Sequence, residues 1–514
     1  MKSSPDMISV SPHIAASLAH AETDPFVDED SGLQQVQALR LQLLKAQYAH
    51  LRRADQALLI VIAGIDGVGK GRCINLLNEW MDARYVHTLA FGESQAPASL
   101  MPPLWRYWQY MPPKGTTGIV FGSWYRPLLE LLKKKRPDWK QVEAVTRAIR
   151  DFETTLSRNG VQVVKLWFHM SKQAQKAHTD SLLADPETAW QVETLDLKVR
   201  KKFDHARRAG ALAMSLTHER RMPWQIVPSA HDVYRVISTG QAVLKGLRKR
   251  QVAGGWRPAY ELALSESAPT SVESSLSLDE IDFSAKLKKA DYQDQLPAVQ
   301  GRLARALRDP RFRTRSLVLV FEGQDAAGKG GAIRRITAAL DARQYRAIPI
   351  AAPSEEERAR PYLWRFWRRL PKPGRAAIFD RSWYGRVLVE RVESLITQPQ
   401  WEHGYDEINQ FEEQIVDNGA IVIKFWLAIT KEEQLERFHA RKKSPFKFFK
   451  ITPEDWRNRR KWDAYWVATN EMLARTHTAR SPWHLVSAND KHHARIRVLE
   501  TVLARLESEL GRAG

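Results

Sequence analysis

Cysteine is almost absent from this chain. Cys73 is the only cysteine in 514 residues, so the sequence excludes a framework of internal disulfides and fits a reducing compartment. Long apolar runs are missing as well. No uncharged stretch could cross a bilayer, and Met1 to His20 contain no continuous apolar segment of the kind that a secretory signal has. We therefore expect a cytoplasmic protein without membrane contact, in which Cys73 is a helix residue rather than a nucleophile.

Acidic residues are too few to balance the basic ones. The chain carries 79 Lys and Arg against 59 Asp and Glu, a formal net charge of +20 at pH 7. Such an excess predicts a polyanionic partner, whether nucleic acid, an anionic membrane or polyphosphate, although a basic surface that serves only solubility is the plain alternative. The hydrophobic and charged fractions, 43% and 27%, are typical of globular proteins, and the length allows two to four domains.

A glycine-rich turn follows an apolar run in the second half of the chain. The turn is Gly323–Gly331, and the run before it is Leu317–Phe321. A strand, a glycine turn and a helix start together form a phosphate-binding loop, because backbone N–H groups and the helix N-terminus can point at one anion. The spacing fits the P-loop, except that Gly330 replaces the Ser or Thr that helps to hold Mg²⁺. Asp325 is the candidate for the missing ligand; a glycine-rich turn without any ligand is the alternative.

The same motif occurs earlier, at Gly64–Gly71. The offset is 323 − 64 = 259 residues, and it holds without a gap far downstream. Tryptophan is rare, so its recurrence in register indicates an internal duplication into two homologous domains. The matched segments are 104–108 with 363–367, 123–125 with 382–384, 159–160 with 418–419, Lys165 and Trp167 with Lys424 and Trp426, and 223–224 with 482–483.

The motifs and linkers predict four segments. Residues 1–32 are expected to be a flexible N-terminus, 33–260 a first domain, 261–282 a linker rich in Ser and Glu, and 283–514 a second domain. Each domain should be of the α/β class, a P-loop kinase-like fold with a five-stranded parallel sheet flanked by helices.

Helices and strands alternate in the predicted domains. A helical pattern over 33–55 opens the first domain, and one over 283–307 opens the second. Ligands are then expected at the carboxyl ends of the strands. The strands predicted for the second copy are 317–322, 346–350, 376–380, 421–427 and 484–487.

A carboxylate ends one of these predicted strands. Asp380 stands where P-loop enzymes keep a second acid for Mg²⁺, and Arg381 and Arg386 follow it. A cap on the next helix is the alternative role for Asp380. Its pairing with Asp325 favours the metal role, and the planar arginine forks could clamp phosphoryl oxygens.

A basic segment farther on is predicted to be a mobile lid that closes over the phosphates. The alternative is a solvated helix end. The cations of this segment are Arg437, Arg441, Lys442, Lys443, Lys447 and Lys450.

The first copy has lost most of these groups. It keeps the loop acid and the loop lysine, Asp66 and Lys70, but Phe121 stands for Asp380 and Gly122 for Arg381. Without the second carboxylate and the lid cations it could not stabilise a phosphoryl group in transfer. We expect it to be folded and inactive, with catalysis in the second copy. The lid positions 441–443 and 450 correspond to Leu182, Leu183, Ala184 and Gln191.

These motifs resemble the polyphosphate kinase 2 family. The resemblance rests on Phe321–Gly331, Phe379–Tyr384 and the basic segment that ends near Lys450–Thr452; it covers 281–514 and, more weakly, 33–260. The tandem arrangement is similar to the family's two-domain members, which use polyphosphate to phosphorylate AMP to ADP. The resemblance implies a P-loop kinase fold with a helical lid, Mg²⁺ as cofactor, a basic channel for polyphosphate, AMP or ADP as the nucleotide, and no nucleic acid as partner.

The residues and the resemblance together assign roles in the second copy. The acceptor phosphate is already anionic, so alignment and charge neutralisation suffice without a general base. The catalytic set is Asp325, Lys329, Asp380 and Arg381, of which the two aspartates are the metal ligands. Nucleotide contacts fall to Arg381, Arg386 and Glu390. The predicted phosphate-binding residues are Gly323, Ala327, Gly328, Gly330, Gly331, Arg386, Arg441, Lys442, Lys443 and Lys450.

Two other functions stay open on the sequence. One is a nucleotide kinase that uses ATP as donor; the other is a non-catalytic nucleic-acid-binding protein that stacks bases on tryptophans such as Trp364, Trp367 and Trp383. These tryptophans recur in both copies, which suits packing better than base stacking. The acceptor range among AMP, ADP and GMP, and assembly into a homo-oligomer, are also open. The duplication suggests that one chain takes the place of a dimer of single-domain relatives.

Overall fold

The computed structural model describes residues 9–92, 100–184, 203–250, 276–443 and 451–511. The chain forms two compact units. The first consists of Met1–Ser94, Tyr107–Leu264 and Glu355–Tyr362, and the second of Gln95–Arg106, Ser265–Ser354 and Leu363–Gly514. Among the described residues no helix is long and apolar enough to cross a membrane.

Each copy builds one five-stranded sheet in which every neighbouring pair is parallel. The strand order is β2-β3-β1-β4-β5 in the first sheet, and the second sheet repeats it as β7-β8-β6-β9-β10. The predicted tandem α/β fold is therefore confirmed, and each predicted strand of the second copy is placed to within one residue. The strands are β1 Ala57–Gly64, β2 Val86–Ala90, β3 Thr117–Phe121, β4 Val161–His169, β5 Trp224–Pro228, β6 Ser316–Gly323, β7 Tyr345–Pro349, β8 Ala376–Asp380, β9 Ala420–Ala428 and β10 Trp483–Ser487.

Helices connect the strands and cover the sheets. In the first copy they are α1 Pro12–Ala21, α2 Glu29–Arg53, α3 Lys70–Trp80, α4 Trp105–Gln109, α5 Arg126–Leu132, α6 Trp139–Arg158, α7 Lys172–Ala184, α8 Phe203–Thr217 and α9 Asp232–Arg248. In the second copy they are α10 Lys289–Ala306, α11 Lys329–Thr337, α12 Glu355–Arg358, α13 Trp364–Trp367, α14 Val389–Val392, α15 Gln398–Asp417, α16 Lys431–Lys443, α17 Pro453–Arg460, α18 Trp462–Thr476 and α19 Lys491–Gly511.

The central strands β1 and β6 are apolar along nearly their whole length because both faces of the sheet are covered. In β6, Leu317 to Phe321 have no exposed surface, as expected for a strand of a doubly covered parallel sheet. The helix α19 closes the second core with leucines and valines that are also buried. Because these central strands are fixed from both sides, the loops at their carboxyl ends have a rigid base.

The expectation that residues 1–32 are flexible differs from the structure over the described part. Residues 12–21 form α1, in which Ile14, Leu18 and Ala21 are buried. These three lie at i, i+4 and i+7, one face of a helix. After the helix, Glu22 accepts hydrogen bonds from Arg207 and lies 2.8 Å from His169 Nε2. The apolar stripe of α1 and this ion pair attach the segment to the first unit.

A buried polar network recurs in both copies. In the second, Lys424 donates to Glu412 at 2.7 Å and to Thr476 O at 2.7 Å, while Tyr384 donates to the same carboxylate at 2.7 Å. Trp383 donates to it as well, at 3.0 Å. In the first copy, Lys165, Glu153, Thr217, Tyr125 and Trp124 make the corresponding bonds. The network is present whether or not a copy keeps the predicted catalytic groups, so its role is structural.

The recurring tryptophans are core residues. Trp364, Trp367 and Trp383 are 3%, 1% and 0% exposed, and Trp383 packs edge-to-face against Phe411. Rings buried to this degree have no face on which a base could stack. This burial removes the tryptophans, though not the basic surface, as support for a nucleic-acid-binding protein. Cys73 is also buried, on α3 as predicted.

Candidate active site

The phosphate-binding loop of the second copy connects β6 to α11. Three of its residues have positive φ: Gly323 at +135°, Ala326 at +66° and Gly328 at +111°. At Gly323 a Cβ atom would lie 2.2 Å from the carbonyl oxygen of Leu427, so only glycine fits there. Positive φ at Ala326 costs about 1–3 kcal/mol, because an alanine side chain is crowded in this conformation; glycine would not have this cost. Such strain at the centre of the predicted site indicates a functional constraint.

The side chain of Lys329, the first residue of α11, extends back toward the start of the loop. Its Nζ donates to Gly323 O at 2.6 Å and to Gln324 O at 3.3 Å. Burial lowers the pKa of Lys329, the charge of Arg381 lowers it further, and the acids Asp325, Asp380 and Glu322 oppose both. The cation is thus held beside the loop by neutral carbonyls, and its charge stays available for an anion.

Asp325 is fixed by two side chains from other elements. Oδ1 accepts from Arg381 Nη2 at 2.9 Å, and Oδ2 accepts from Asn458 Nδ2 at 2.8 Å. Its backbone carbonyl accepts from Gln434 Nε2 at 3.1 Å. The carboxylate therefore has a defined orientation at the mouth of the loop, with 12% of its side chain exposed.

Asp380 and Arg381 lie at the end of β8, beside the loop. Asp380 pairs with Phe321 across the sheet. The next helical turn is capped by Ser382, whose hydroxyl accepts from Tyr384 N, so capping falls to Ser382 and not to Asp380. Arg381 has φ +63°. Burial acts to lower its pKa, but nearby carboxylates, chiefly Asp325, outweigh burial and raise that pKa.

These groups line a cleft of ≈ 490 Å³, which we call the phosphate cleft. It brings Lys329, Asp325, Asp380 and Arg381 together, as predicted from the sequence, with the loop glycines Gly328, Gly330 and Gly331. It also contains three basic residues that the sequence reasoning missed, Arg334, Lys491 and Arg495. These residues lie on α11 and α19, the helices that flank the loop. Their closeness to the loop can be recognised only once the packing of the two helices is known.

A second cavity of ≈ 110 Å³ lies against the other side of Asp325 and Arg381. We call it the aromatic cavity, because Trp462, Tyr465 and Trp466 of α18 line it. Apolar and aromatic walls beside two charged groups suit a flat, partly polar molecule with an anionic end. Its remaining walls include Leu278, Gly385, Leu388, Val389 and Asn458.

The other predicted binding residues differ in whether they reach the two cavities. Arg386 and Glu390 form an ion pair with each other at 2.9 Å and are not among the lining residues of either cavity. Arg441 lines the phosphate cleft, and Lys442 lies 4.8 Å from the ring centre of Trp456. The other cations predicted for the lid are Lys443, exposed at the end of α16, and Lys447 and Lys450, which lie outside the described residues.

Arg437 departs from the lid prediction. It is 5% exposed, and its guanidinium donates to the carbonyl oxygens of Ala326 and Ala327 at 3.0 Å each. Arg437 lines the phosphate cleft together with Arg441, one turn later on α16, but its guanidinium is bonded to the loop instead of lying over it.

Glu322 is a further acid that the sequence reasoning quoted without a role. It is 6% exposed and accepts from Ser382 Oγ at 2.8 Å. Burial raises its pKa, against the lowering effect of Lys329. The first copy has Ala63 at this position, so comparison at the 259-residue offset could have identified it.

The first copy arranges its loop differently. Lys70 Nζ donates to Asp66 Oδ1 at 2.8 Å, so the loop cation and the loop acid neutralise each other. Phe121, 37% exposed, ends β3 where the second copy has Asp380. Gly122 has φ +76° where Arg381 has +63°. The backbone of the loop region is kept, and the charged groups around it are not.

The sequence was compared with known families and proteins. A family model described as Polyphosphate kinase 2 (PPK2) matches residues 26–254 and again residues 286–513. The chain belongs to the polyphosphate kinase 2 family. This confirms the resemblance noted from the motifs, and the double match follows the internal duplication.

Relatives of the same two-copy length carry a specific name. A protein of Pseudomonas aeruginosa named polyphosphate:AMP phosphotransferase is 44% identical over 95% of this chain and 98% of its own length. One of Acinetobacter johnsonii with the same name is 37% identical over 92% and 96%. A crystal structure of a polyphosphate kinase 2 from Pseudomonas aeruginosa matches 96% of this chain and 99% of that one, with 43% identity and a TM-score of 0.85.

A shorter family member aligns with about half of the chain. An ADP-polyphosphate phosphotransferase of Rhizobium meliloti is 39% identical over 49% of this chain and 81% of its own length. Polyphosphate kinase 2 proteins thus occur with one copy of the domain or, as here, with two.

Proposed function

We propose that this protein transfers a phosphoryl group from inorganic polyphosphate to AMP and releases ADP, and that its second copy performs the reaction. The relatives that match over the whole length are named for this activity. The assignment to the second copy rests on the bonding partners of the loop lysine, which differ between the two copies. Within the described parts of the chain Lys329 bonds only backbone carbonyls, whereas Lys70 is paired with Asp66.

The phosphate cleft is the proposed donor site. Lys329, Arg381, Arg441 and Arg495 line it, and many dispersed cations suit a polyanion because its counterions are released on binding. The aromatic cavity is the proposed site for the adenine nucleoside of AMP. Arg381 lines both cavities, so its fork can hold the phosphoryl group between donor and acceptor.

Asp325 and Asp380 fit the binding of Mg²⁺. Carboxylate oxygens are its preferred ligands, and enzymes that act on phosphates commonly hold it with one or two carboxylates plus substrate oxygens. Both aspartates line the phosphate cleft, while the described residues contain no group of three or more metal-binding side chains. When bound, Mg²⁺ would neutralise charge on the phosphates. Asn458 and Arg381 hold Asp325 in position for it.

The chain's own residues then account for the rate by positioning and charge. The loop N–H groups and Lys329 hold the donor, and Arg381 stabilises charge on the group in transfer. The AMP phosphate attacks as an anion, so no side chain has to remove a proton. The first copy, which lacks Asp380 and Arg381, is proposed to be a folded, non-catalytic domain. A cytoplasmic location and a homo-oligomeric state are proposed with it.

The donor is tested by direct assay. The purified protein is incubated with AMP, Mg²⁺ and either polyphosphate or ATP, and ADP is quantified by chromatography. ADP is expected with polyphosphate. Formation of ADP with ATP alone would identify an ATP-dependent kinase instead, and no transfer from either donor would leave the activity without support.

The division between the copies is tested by a matched pair of substitutions. Asp380→Asn should reduce transfer by at least about 100-fold, because a metal-binding and charge-stabilising group is lost. Asp66→Asn, in the corresponding loop of the first copy, should leave kcat within about twofold. If Asp66→Asn is the change that abolishes transfer, the assignment of catalysis to the second copy is wrong.

A further inference from the structure

A buried guanidinium on α16 bonds the backbone of the phosphate loop in the second copy. Arg437 forms five hydrogen bonds: to Ala326 O, Ala327 O, Ala488 O, Asn489 O and the carboxylate of Glu433. An arginine side chain has five N–H donors, so each can be satisfied. The side chain joins the loop to the segment that follows β10.

The bonds to the loop fix the direction of two peptide groups. In a trans peptide the C=O and the following N–H point in opposite directions. With the carbonyls of Ala326 and Ala327 turned toward Arg437, the N–H groups of Ala327 and Gly328 point away from it. The first of these bonds Gln324 O at 3.1 Å. The second belongs to Gly328, which lines the phosphate cleft.

The peptide that Arg437 holds is also the strained one. Ala326 has φ +66°, which costs about 1–3 kcal/mol for a residue other than glycine. The first copy has Gly67 at this position, with φ +73°, and glycine adopts that conformation without strain. The loop of the second copy therefore carries a backbone strain that the loop of the first copy does not have.

The first copy supplies a guanidinium to the same place from a different helix. At the 259-residue offset, position 437 corresponds to His178, and position 494, now Ala494, corresponds to Arg235. Arg235, on α9, is 1% exposed. Its Nη1 donates to Ser229 O at 3.0 Å, and Ser229 is the counterpart of Ala488.

Both guanidinium groups also lie against the same loop glycine. A Cβ atom on Gly69 would lie 2.7 Å from Arg235 Cζ, and one on Gly328 would lie 3.9 Å from Arg437 Nη1. Arg235 bonds Asp232 in addition, but its Nε has no hydrogen-bond partner among the described residues. The place of the charge is thus common to both copies, while the fivefold bonding belongs to the copy with the strained loop.

We propose that Arg437 is a positioning residue for the donor phosphates: through its bonds to the carbonyls of Ala326 and Ala327 it holds these strained peptides so that the N–H of Gly328 faces the phosphate cleft. The inference rests on the proposed polyphosphate donor. It assigns no contact between Arg437 and substrate. The inference predicts that loss of Arg437 changes the KM for polyphosphate and leaves the KM for AMP unchanged.

The test replaces Arg437 with the residue of the first copy. Arg437→His should raise the KM for polyphosphate about tenfold or more, since bonds from a charged donor are lost, while the KM for AMP stays within about twofold. Arg437→Lys keeps the charge without the fork and should show most of the same loss. Arg480→His, at an exposed arginine paired with Asp417, is the control and should change neither KM.

Two second-site changes separate positioning from general damage. Ala326→Gly in the Arg437→His background relieves the strain and should recover at least about threefold in kcat/KM for polyphosphate. Ala494→Arg in that background restores the guanidinium from α19, as Arg235 does from α9. Its recovery should be partial, because Lys491 stands where the first copy has Asp232.

Polyphosphate binding is also followed without turnover, by the rise in melting temperature that polyphosphate causes in the absence of AMP. This rise should be smaller for Arg437→His than for the wild type. Equal donor KM values and equal rises would overturn the inference, as would a loss that neither second-site change reduces. A wild-type protein that makes no ADP from polyphosphate would refute the proposed function instead.

Discussion

At the scale of single residues, strained backbone marks the site. Ala326 and Arg381 both adopt positive φ, and their counterparts in the first copy, Gly67 and Gly122, are glycines. The second copy thus carries a side chain at positions where the backbone favours none. The guanidinium of Arg381 reaches Asp325 and lines both cavities, as its proposed role requires.

Arg381→Gly, the residue of the first copy, separates stability from activity. The substitution relieves backbone strain but removes the fork, so kcat should fall by about 100-fold or more while the melting temperature changes little. Activity assays and thermal unfolding on the same preparation check this. Arg381→Lys is the control for charge without the fork; full activity in either variant would contradict the role given to Arg381.

The pKa of Lys329 predicts a pH effect. Burial and Arg381 lower that pKa below its ordinary value of 10.5, and lysine loses its charge as the pH rises through its pKa. In the free enzyme, kcat/KM for polyphosphate should therefore decline at a pH below that of an ordinary lysine. Bound polyphosphate adds negative charge and raises the pKa of Lys329, so the decline of kcat should come at higher pH.

The measurement is a pair of pH profiles at fixed ionic strength, one for kcat/KM and one for kcat. Alkaline limbs that coincide would show that Lys329 does not report donor binding. Buffers of equal ionic strength are needed because salt screens the donor's charges.

At the scale of elements, the strands were predictable and the N-terminal helix was not. The clearest strand patterns of the second copy are short apolar runs, such as Leu317–Phe321 and Ala376–Phe379, that end at a charged residue; their short length favours a strand over a helix. The helix α1 is short and begins with Pro12. Its three apolar residues are recognisable as a stripe only when the surface that they cover is known.

The packing of α1 makes a stability prediction. Leu18 is 1% exposed, so Leu18→Ala should destabilise the first unit by about 2–5 kcal/mol. Because catalysis is assigned to the second copy, kcat at a temperature where the protein is folded should be unchanged. Thermal unfolding monitored by circular dichroism gives the first quantity. Leu41→Ala, at a residue 53% exposed on α2, is the control and should have little effect.

At the scale of the whole molecule, duplication supplies an internal comparison. Everything that both copies keep, such as the lysine–glutamate–tyrosine network, belongs to the fold. Groups that the second copy alone keeps, such as Asp380 and Arg381, are those to which the proposed reaction assigns a role. The excess of basic residues in the chain fits the proposed reaction as well, because the phosphate cleft is lined by cations from α11, α16 and α19.

Breaking the structural network should lower the free energy of unfolding by the same amount in both copies. Glu412→Gln leaves Lys424, which has no exposed surface, without its charged partner, and should destabilise its unit by about 3–5 kcal/mol. Glu153→Gln should do the same in the first unit. Calorimetry of both variants measures the two costs. Asp417→Asn, which removes an exposed ion pair with Arg480, should cost less than about 1 kcal/mol. Loss in only one copy would contradict a shared structural role.

The sequence alone determined the duplication, the parallel α/β fold, the loop with Asp325 and Lys329, and the second aspartate, Asp380, at the end of a neighbouring strand. These follow from local patterns: apolar runs of strand length, glycines at turn positions, and a repeat in constant register. Asp325, Lys329, Asp380 and Arg381 were predicted to act together because the carboxyl ends of neighbouring parallel strands meet at one edge of the sheet.

The tertiary structure alone decided which way the charges face. Arg437 and Arg441 are four residues apart in one basic run and both line the cleft, yet the guanidinium of Arg437 is bonded to four backbone carbonyls and to Glu433. Lys70 and Lys329 occupy matching positions, yet among the described residues only Lys70 forms an ion pair with its own loop acid. The partners of a charge are set by the side chains that packing brings near it, Arg381 and Asn458 for Asp325, and these come from distant parts of the chain.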